Sequence, residues 1–370
     1  MGKAIYVPVN GIAHKVKKIY APVNGVARRV KKAYCSIGGV ARPCWGGGKL
    51  VYYGTITPLS VERLGLAATT IGNYALFGGG SASSTSYKAT VDAYNVALTR
   101  TTATELSVAR QNLAGVSNDN YALFGGGTSG NNSTVVDAYS TSLTRTTPTA
   151  LSTSGIAKAA TSVGVYALFG GGYNGASLNS INAYDAVLTR TIPGALTATR
   201  TALAAASNGN YALFGGGHAS ESALFRNTVD VYDTSLTRSV ATSLSVARHG
   251  LAATVVGNYL LFGGGRPSNS GISATVDAYD PSLTRTTPTE LSVARQGLSA
   301  TSVDNYALFA GGNTFSTVDA YDPALTRTIP TELSVARQKP GATTVGHYAL
   351  FGGGGSGSER FAAVDAYAVT

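Results

Sequence analysis

Two residue patterns in this chain have the chemistry to hold an anion. Arginine recurs at Arg63, Arg110, Arg200, Arg248, Arg295 and Arg337, each closing a phrase related to Ser-Val-Ala-Arg. A glycine triplet closes a second phrase, "NYALFGGG", whose copies end at 80, 127, 172, 217, 265, 312 and 354. Guanidinium groups pair with carboxylates and phosphates, and glycine loops wrap phosphates when a helix begins just after them. No helix-like stretch follows any of these triplets. The glycines are therefore read as structural, turning the chain out of an inner strand where neighbouring backbones crowd. The arginines keep two readings: a ring facing a ligand, or ties between adjacent repeats.

Catalytic signals are sparse. His14, His218, His249 and His347 are scattered without metal-ligand spacing. His249 and His347 stand where other copies carry Gln and Asn, and are read as structural. Neither G-x-S-x-G nor H-E-x-x-H occurs. The expectation is a chain that binds rather than catalyses, with no cofactor and no metal.

Recognition is expected where the repeats differ, because variable loops on a constant scaffold are the usual place for it. The segments after the glycines read "SASSTSYKAT", "TSGNNST", "YNGASLNS", "HASESALFRNT", "RPSNSGISAT", "NTFST" and "GSGSERFAA". Their candidate ligand residues are Tyr87, Asn131, Tyr173, Asn174, His218, Glu221, Phe225, Arg226, Arg266, Asn313, Phe315 and Arg360. Arg110, Arg248 and Arg295 join them if the arginine ring faces the ligand.

The elements that position these residues repeat every 42–48 residues, measured between the motif tyrosines. Each unit reads as four short strands separated by turn residues, a period that suits a propeller blade. The seventh unit stops after three strands. Its fourth is found at the front, where "YYGTITPLSVER" (52–63) aligns with "TRTIPTELSVAR" (326–337). The predicted fold is all-β: a seven-bladed propeller closed by an N-terminal strand, leaving no open edge. The phrases "ALFGGG", "VDAYDP" and "SVAR" make the body resemble kelch-repeat propellers, although the tryptophan usual after the tyrosine is missing. The resemblance implies a binding face built from the variable loops. It also admits copper oxidases, for which this body has no Cys, and sialic-acid isomerases. For the latter, His218, Glu221, Arg226, Glu359 and Arg360 are the available groups, with no pattern tying them together.

The front of the chain differs. Nine of the 28 basic residues and none of the 18 acidic ones fall within 1–48, so the net charge of +10 belongs to a basic head on a nearly neutral body. The head repeats every fourteen residues from Tyr6, Tyr20 and Tyr34, each copy centred on Asn-Gly or Gly-Gly. That is a hairpin signal, and it sets Val9 opposite Ile12, Val7 opposite His14, Cys35 opposite Arg42 and Cys44 opposite Ala33. The two cysteines are read as small strand hydrophobes. The division expected is 1–48, basic hairpin repeats for attachment or oligomerisation, and 49–370, the propeller. The head resembles N-terminal segments of tail-associated proteins of phages and prophages of Gram-positive bacteria. That resemblance implies a virion-associated receptor-binding or decoration protein, made in the cytoplasm without a signal peptide and reaching the exterior by assembly. It would hold virion structural proteins through 1–48 and a cell-surface glycan or protein through its loops. A homo-oligomer is a further expectation; membrane insertion is not, since no apolar run of eighteen residues exists. Nucleic acid is disfavoured, because the basic head offers few stacking aromatics. The alternatives are an intracellular protein-interaction scaffold and a carbohydrate-active enzyme.

Overall fold

The computed structural model describes residues 48–220, 224–267 and 271–370, together with the strand backbones within 5–45. The chain divides into two compact units, Met1–Leu50 with Val369–Thr370, and Val51–Ala368.

The larger unit contains seven four-stranded antiparallel sheets. In the first, Ala67–Ile71, Tyr74–Gly78, Val91–Asn95 and Arg100–Ala103 follow one another outward. Every first strand packs against the first strands of both neighbours, and the ring closes between Gly341–Val345 and Ala67–Ile71. The seventh sheet is completed by Leu50–Ile56 lying beside Val364–Val369. The fold is the expected seven-bladed propeller, closed by a strand from the front of the chain. One detail departs from the alignment. It sets Tyr53 at the place of Arg327, yet Tyr52 is the residue whose hydroxyl donates to Asp365 (2.7 Å). Tyr53 is exposed and meets Tyr348 edge-on. Burial alternates through this strand, with Tyr52, Gly54 and Ile56 half-buried and Tyr53 and Thr55 exposed.

Burial explains the residue types. Second and third strands lie between neighbouring blades on both faces, so Ala75, Leu76 and Phe77, or Val91, Asp92, Ala93 and Tyr94, are all sealed from solvent. Such strands lose the period-two alternation of half-exposed ones. First strands keep it: Ala67, Thr69 and Ile71 are buried while Ala68 and Thr70 are not. In all seven blades the phenylalanine of the second strand meets the tyrosine of the third edge-to-face, at 5.7–6.1 Å between ring centres. Each such pair contributes about 0.5–1.5 kcal/mol beyond its burial. The tyrosine hydroxyls donate to carbonyls that lead away from the preceding blade's last strand, as Tyr94 does to Thr57 (2.8 Å) and Tyr279 to Thr242 (2.7 Å).

The glycine triplet is an inter-blade joint. A Cβ on Gly78 would stand 3.0 Å from Phe124 of the next blade, and one on Gly79 would stand 2.7 Å from the Arg110 carbonyl. Gly79 and Gly80 also have φ of +68° and +102°. The third glycine then donates its N–H to that same carbonyl of the next blade, Gly80 to Arg110 at 2.9 Å. The equivalent bond recurs around the whole ring, ending with Gly354 to Arg63 at 3.0 Å. The opposite end of six of the blades carries a different strain. Leu98, Leu143, Leu188, Leu236, Leu283 and Leu325 turn into the fourth strand with φ between +59° and +66°. A left-handed leucine costs about 1–2 kcal/mol. Here it places an apolar side chain against the core shared with the preceding blade.

In the smaller unit three strand pairs are present: Ile5–Val9 with Ile12–Val16, Tyr20–Val23 with Val26–Arg29, and Ala33–Ile37 with Val40–Trp45. Val9 opposes Ile12, Val7 opposes His14 and Cys35 opposes Arg42, as the turn chemistry predicts. Cys44 does not oppose Ala33: the pairing shifts between Ala33 and Tyr34, so that Ala33 meets Trp45 and Tyr34 meets Pro43. Proline cannot donate to a ladder, and irregularities of this kind are where strands accommodate it. The aliphatic face expected of the head, and its Asn-Gly turns, lie outside the described residues.

Candidate functional site

The arginines resolve first. All six are fully buried, so they do not line an exposed face. This corrects the ligand-facing reading of Arg110, Arg248 and Arg295. Each pairs with the aspartate of its own blade's third strand, at 2.7 Å for Arg63 with Asp92 and for Arg248 with Asp277. The fourth strand's arginine approaches the same carboxylate from the blade edge, as Arg285 does at 2.8 Å. In the seventh blade Tyr52 replaces that second arginine. Burial pushes the Asp277 carboxyl up, but Arg248, Arg285 and the Ser245 N–H together bring it below the usual carboxylate range. The repeated Arg and Asp are thus the internal frame of each blade.

The third blade lacks this frame on both sides. Gly155 stands for the arginine and Asn182 for the aspartate. Asn182 keeps the neutral part of the role, accepting the Ser152 N–H at 2.9 Å, just as Asp277 accepts that of Ser245 at 3.0 Å. The charge reappears three residues on, at Lys158, where five other blades have Leu66, Leu113, Leu203, Leu251 and Leu298 and the seventh has Pro340. Lys158 donates to the Gly171 carbonyl at 2.9 Å. In the second blade Arg110 holds the corresponding Gly126 carbonyl at 2.8 Å.

The loop face is built from a repeated two-residue bridge. The residue after the arginine pairs with the residue after the glycines: Leu64 with Ser81, Gln111 with Thr128, Ile156 with Tyr173, Thr201 with His218, His249 with Arg266, and Gln338 with Gly355. Gln296 and Asn313 exchange equivalent bonds, one of them through the Asn313 side chain. One residue further on, Gly65, Asn112, Ala157, Ala202, Gly250, Gly297 and Lys339 all lie at φ between +50° and +71° and ring the mouth of the central channel. That mouth is a cavity of about 310 Å³ walled by the five leucines, Lys158, Lys339 and Pro340. A second cavity of about 310 Å³ shares Lys158 and runs on between the alanines and glycines of the first strands. Burial lowers the Lys158 ammonium to about 8.

The bridge brings two loops together. His218 and Phe225 face each other across a short hairpin, Ala219 pairing with Leu224 beside them. Their rings lie nearly parallel at 26°, with centres 6.2 Å apart. His249, from the next blade, lies 4.3 Å from His218 and 5.4 Å from Phe225. Arg266 is its bridge partner. Burial, then His218 and Arg266, hold His249 down at about 4, so its imidazole is neutral at pH 7. His249 was read as structural from sequence; the signal that finds it is the pairing of the two columns, which sets it beside Arg266 and next to the His218 loop.

The other candidates are spread around the face. Asn131 and Asn174 are exposed, and Tyr87, Tyr173, Arg226, Phe315 and Arg360 are half-buried in their own loops. Ser177 of the Tyr173 loop accepts the Ser220 N–H at 3.0 Å, joining that loop to the His218 loop. Asn313 caps its own bridge. Arg360 donates to Gly357 and Glu359 carbonyls and lines a separate hollow of about 360 Å³ with Glu62 and Phe361. The structure therefore brings His218, Phe225 and Arg266 together through His249 and leaves the rest apart. Glu221 lies outside the described residues. Among the described residues no group of three or more His, Cys, Asp or Glu is placed to hold a metal ion. No protein-family model matches the chain, and no curated protein matches it.

Proposed function

We propose that this chain is a non-catalytic binding and display protein whose loop face recognises a glycan on a cell surface. One observation carries the reading: seven nearly identical blades hold seven unlike loops on a single face, and two of those loops converge on an aromatic cluster. Phe225 with two histidine rings offers the flat, partly apolar surface on which sugar rings stack, and Arg266 offers donors for hydroxyls. The basic head is the attachment segment in this reading, docking on an acidic surface of a larger assembly such as a virion. The resemblance of its repeats to phage tail-associated segments supports that assignment.

A glycan array probed with the intact chain tests the reading. The expected result is a restricted set of bound glycans, lost in Phe225→Ala while the melting temperature is unchanged, because Phe225 sits in a half-buried loop hairpin. An array without binding, or one indifferent to Phe225→Ala, overturns it. Recovery of a specific protein ligand on the same face would then move recognition to the kelch-like scaffold alternative.

A further inference from the structure

We propose that the mouth of the central channel is a second binding site, built on Lys158 for the carboxylate or phosphate group of a compact ligand such as an acidic monosaccharide. The site lies inside the ring and does not depend on what the loops recognise.

The third blade shows why Lys158 is more than a replacement part. Losing both Arg and Asp at Gly155 and Asn182 leaves that blade without a buried ion pair, and its fourth-strand Arg190 donates to the Ala150 carbonyl instead. A neutral side chain at 158 would complete it, as leucine does in five other blades. Lysine instead adds a positive charge that no carboxylate in the blade's frame answers. Among the described residues lining the two cavities there is no acidic side chain, while a second lysine, Lys339, stands at the rim. One N–H of Lys158 goes to the Gly171 carbonyl. An ammonium has three donors, and the side chain lines both cavities. A partly buried cation without a counter-charge is costly, and an entering anion repays that cost.

The surroundings define the ligand. The mouth, about 310 Å³, is at the lower end of the range of small-molecule sites. Its walls are leucine side chains, which suit a compact body with apolar faces. Deeper, the wall is first-strand alanine and glycine, which leaves backbone rather than side chains to meet hydroxyls. The burial that lowers the Lys158 ammonium adds a consequence. An anion stabilises the charged amine, so binding at and above pH 8 takes up a proton.

Calorimetric titration of the full chain with glucuronate, glucose 6-phosphate, inorganic phosphate and glucose tests this. Glucuronate or one of the phosphates binds and glucose does not. The order among the three anions tells a carboxylate site from a phosphate site. Lys158→Met, which keeps the stem and removes the charge, weakens the preferred anion at least tenfold, whereas Phe225→Ala leaves it unchanged. In wild-type protein at pH 8, buffers of different ionisation enthalpy report proton uptake on binding, a readout that needs no variant to fold. Absence of anion binding at millimolar concentration, equal binding by Lys158→Met, or binding without proton uptake overturns the proposal.

Discussion

At the scale of single residues, His249 shows how one substitution in a repeat acquires a role. Gln111, Gln296 and Gln338 occupy its position in other blades, and glutamine does not titrate. His249 in the folded chain is held at about 4, below the ordinary value near 6.5. Between those two values the unfolded chain binds more protons than the folded one. Stability is therefore lost as pH falls from about 6.5 to 4, and is free of this penalty above that window. His249→Gln should melt within a degree or so of wild type at pH 7.5, yet above it at pH 4.5. Thermal denaturation at the two values decides. A difference that does not change with pH removes the buried neutral imidazole from the account.

At the scale of the element, the unit of design is the blade with its internal ion pair. Arg248 is sealed and its charge is answered by Asp277. Removing one member of a buried pair leaves an unanswered charge, at a cost of about 3–5 kcal/mol. Arg248→Met or Asp277→Asn alone should each cost this order, and together much less than their sum. A coupling of about 1–3 kcal/mol is expected from urea unfolding of the cycle; additive losses would mean that the two side chains act independently. The third blade is a natural instance of the double replacement. Its frame was legible in three aligned columns, where Gly155, Lys158 and Asn182 depart together. The direction in which the arginines point was not. A recurring Arg reads alike whether it faces solvent or its own blade, since its partner Asp lies 24–30 residues away in another strand. Likewise the alignment does not reveal that Tyr52, and not Tyr53, takes the arginine's place beside the aspartate.

At the scale of the whole molecule, closure was the most legible feature, since a missing fourth strand at one end and a spare one at the other admit few topologies. It also yields the sharpest stability expectation. Removing residues 1–58 takes away Leu50–Ile56, opens the edge of Val364–Val369 and strips Tyr52 from Asp365. The product should unfold at a much lower temperature and aggregate, whereas removing 1–46 should leave a cooperative transition close to that of the full chain. Equal melting of the two truncations would show that the ring does not need its N-terminal strand. The site was less legible than the ring. The loops were found by their variability, but which of them meet depends on a bridge between two columns that are far apart in sequence.

The paired replacement in the third blade has a consequence for inheritance. Flanks as similar as these invite recombination between repeats, which would carry loops from blade to blade on interchangeable ends. Most crossovers would be silent, because every ordinary blade contributes both Arg and Asp. A crossover between positions 155 and 182 is different. One product keeps a buried arginine opposite an asparagine; the other keeps an aspartate opposite a glycine. The first leaves a charge sealed in the protein without its partner, and the second leaves a buried carboxylate with only the fourth strand's arginine to answer it. The loop at 173–180, which lies between those positions, is therefore bound to its blade and travels only with the whole of it, while its six counterparts are free to move.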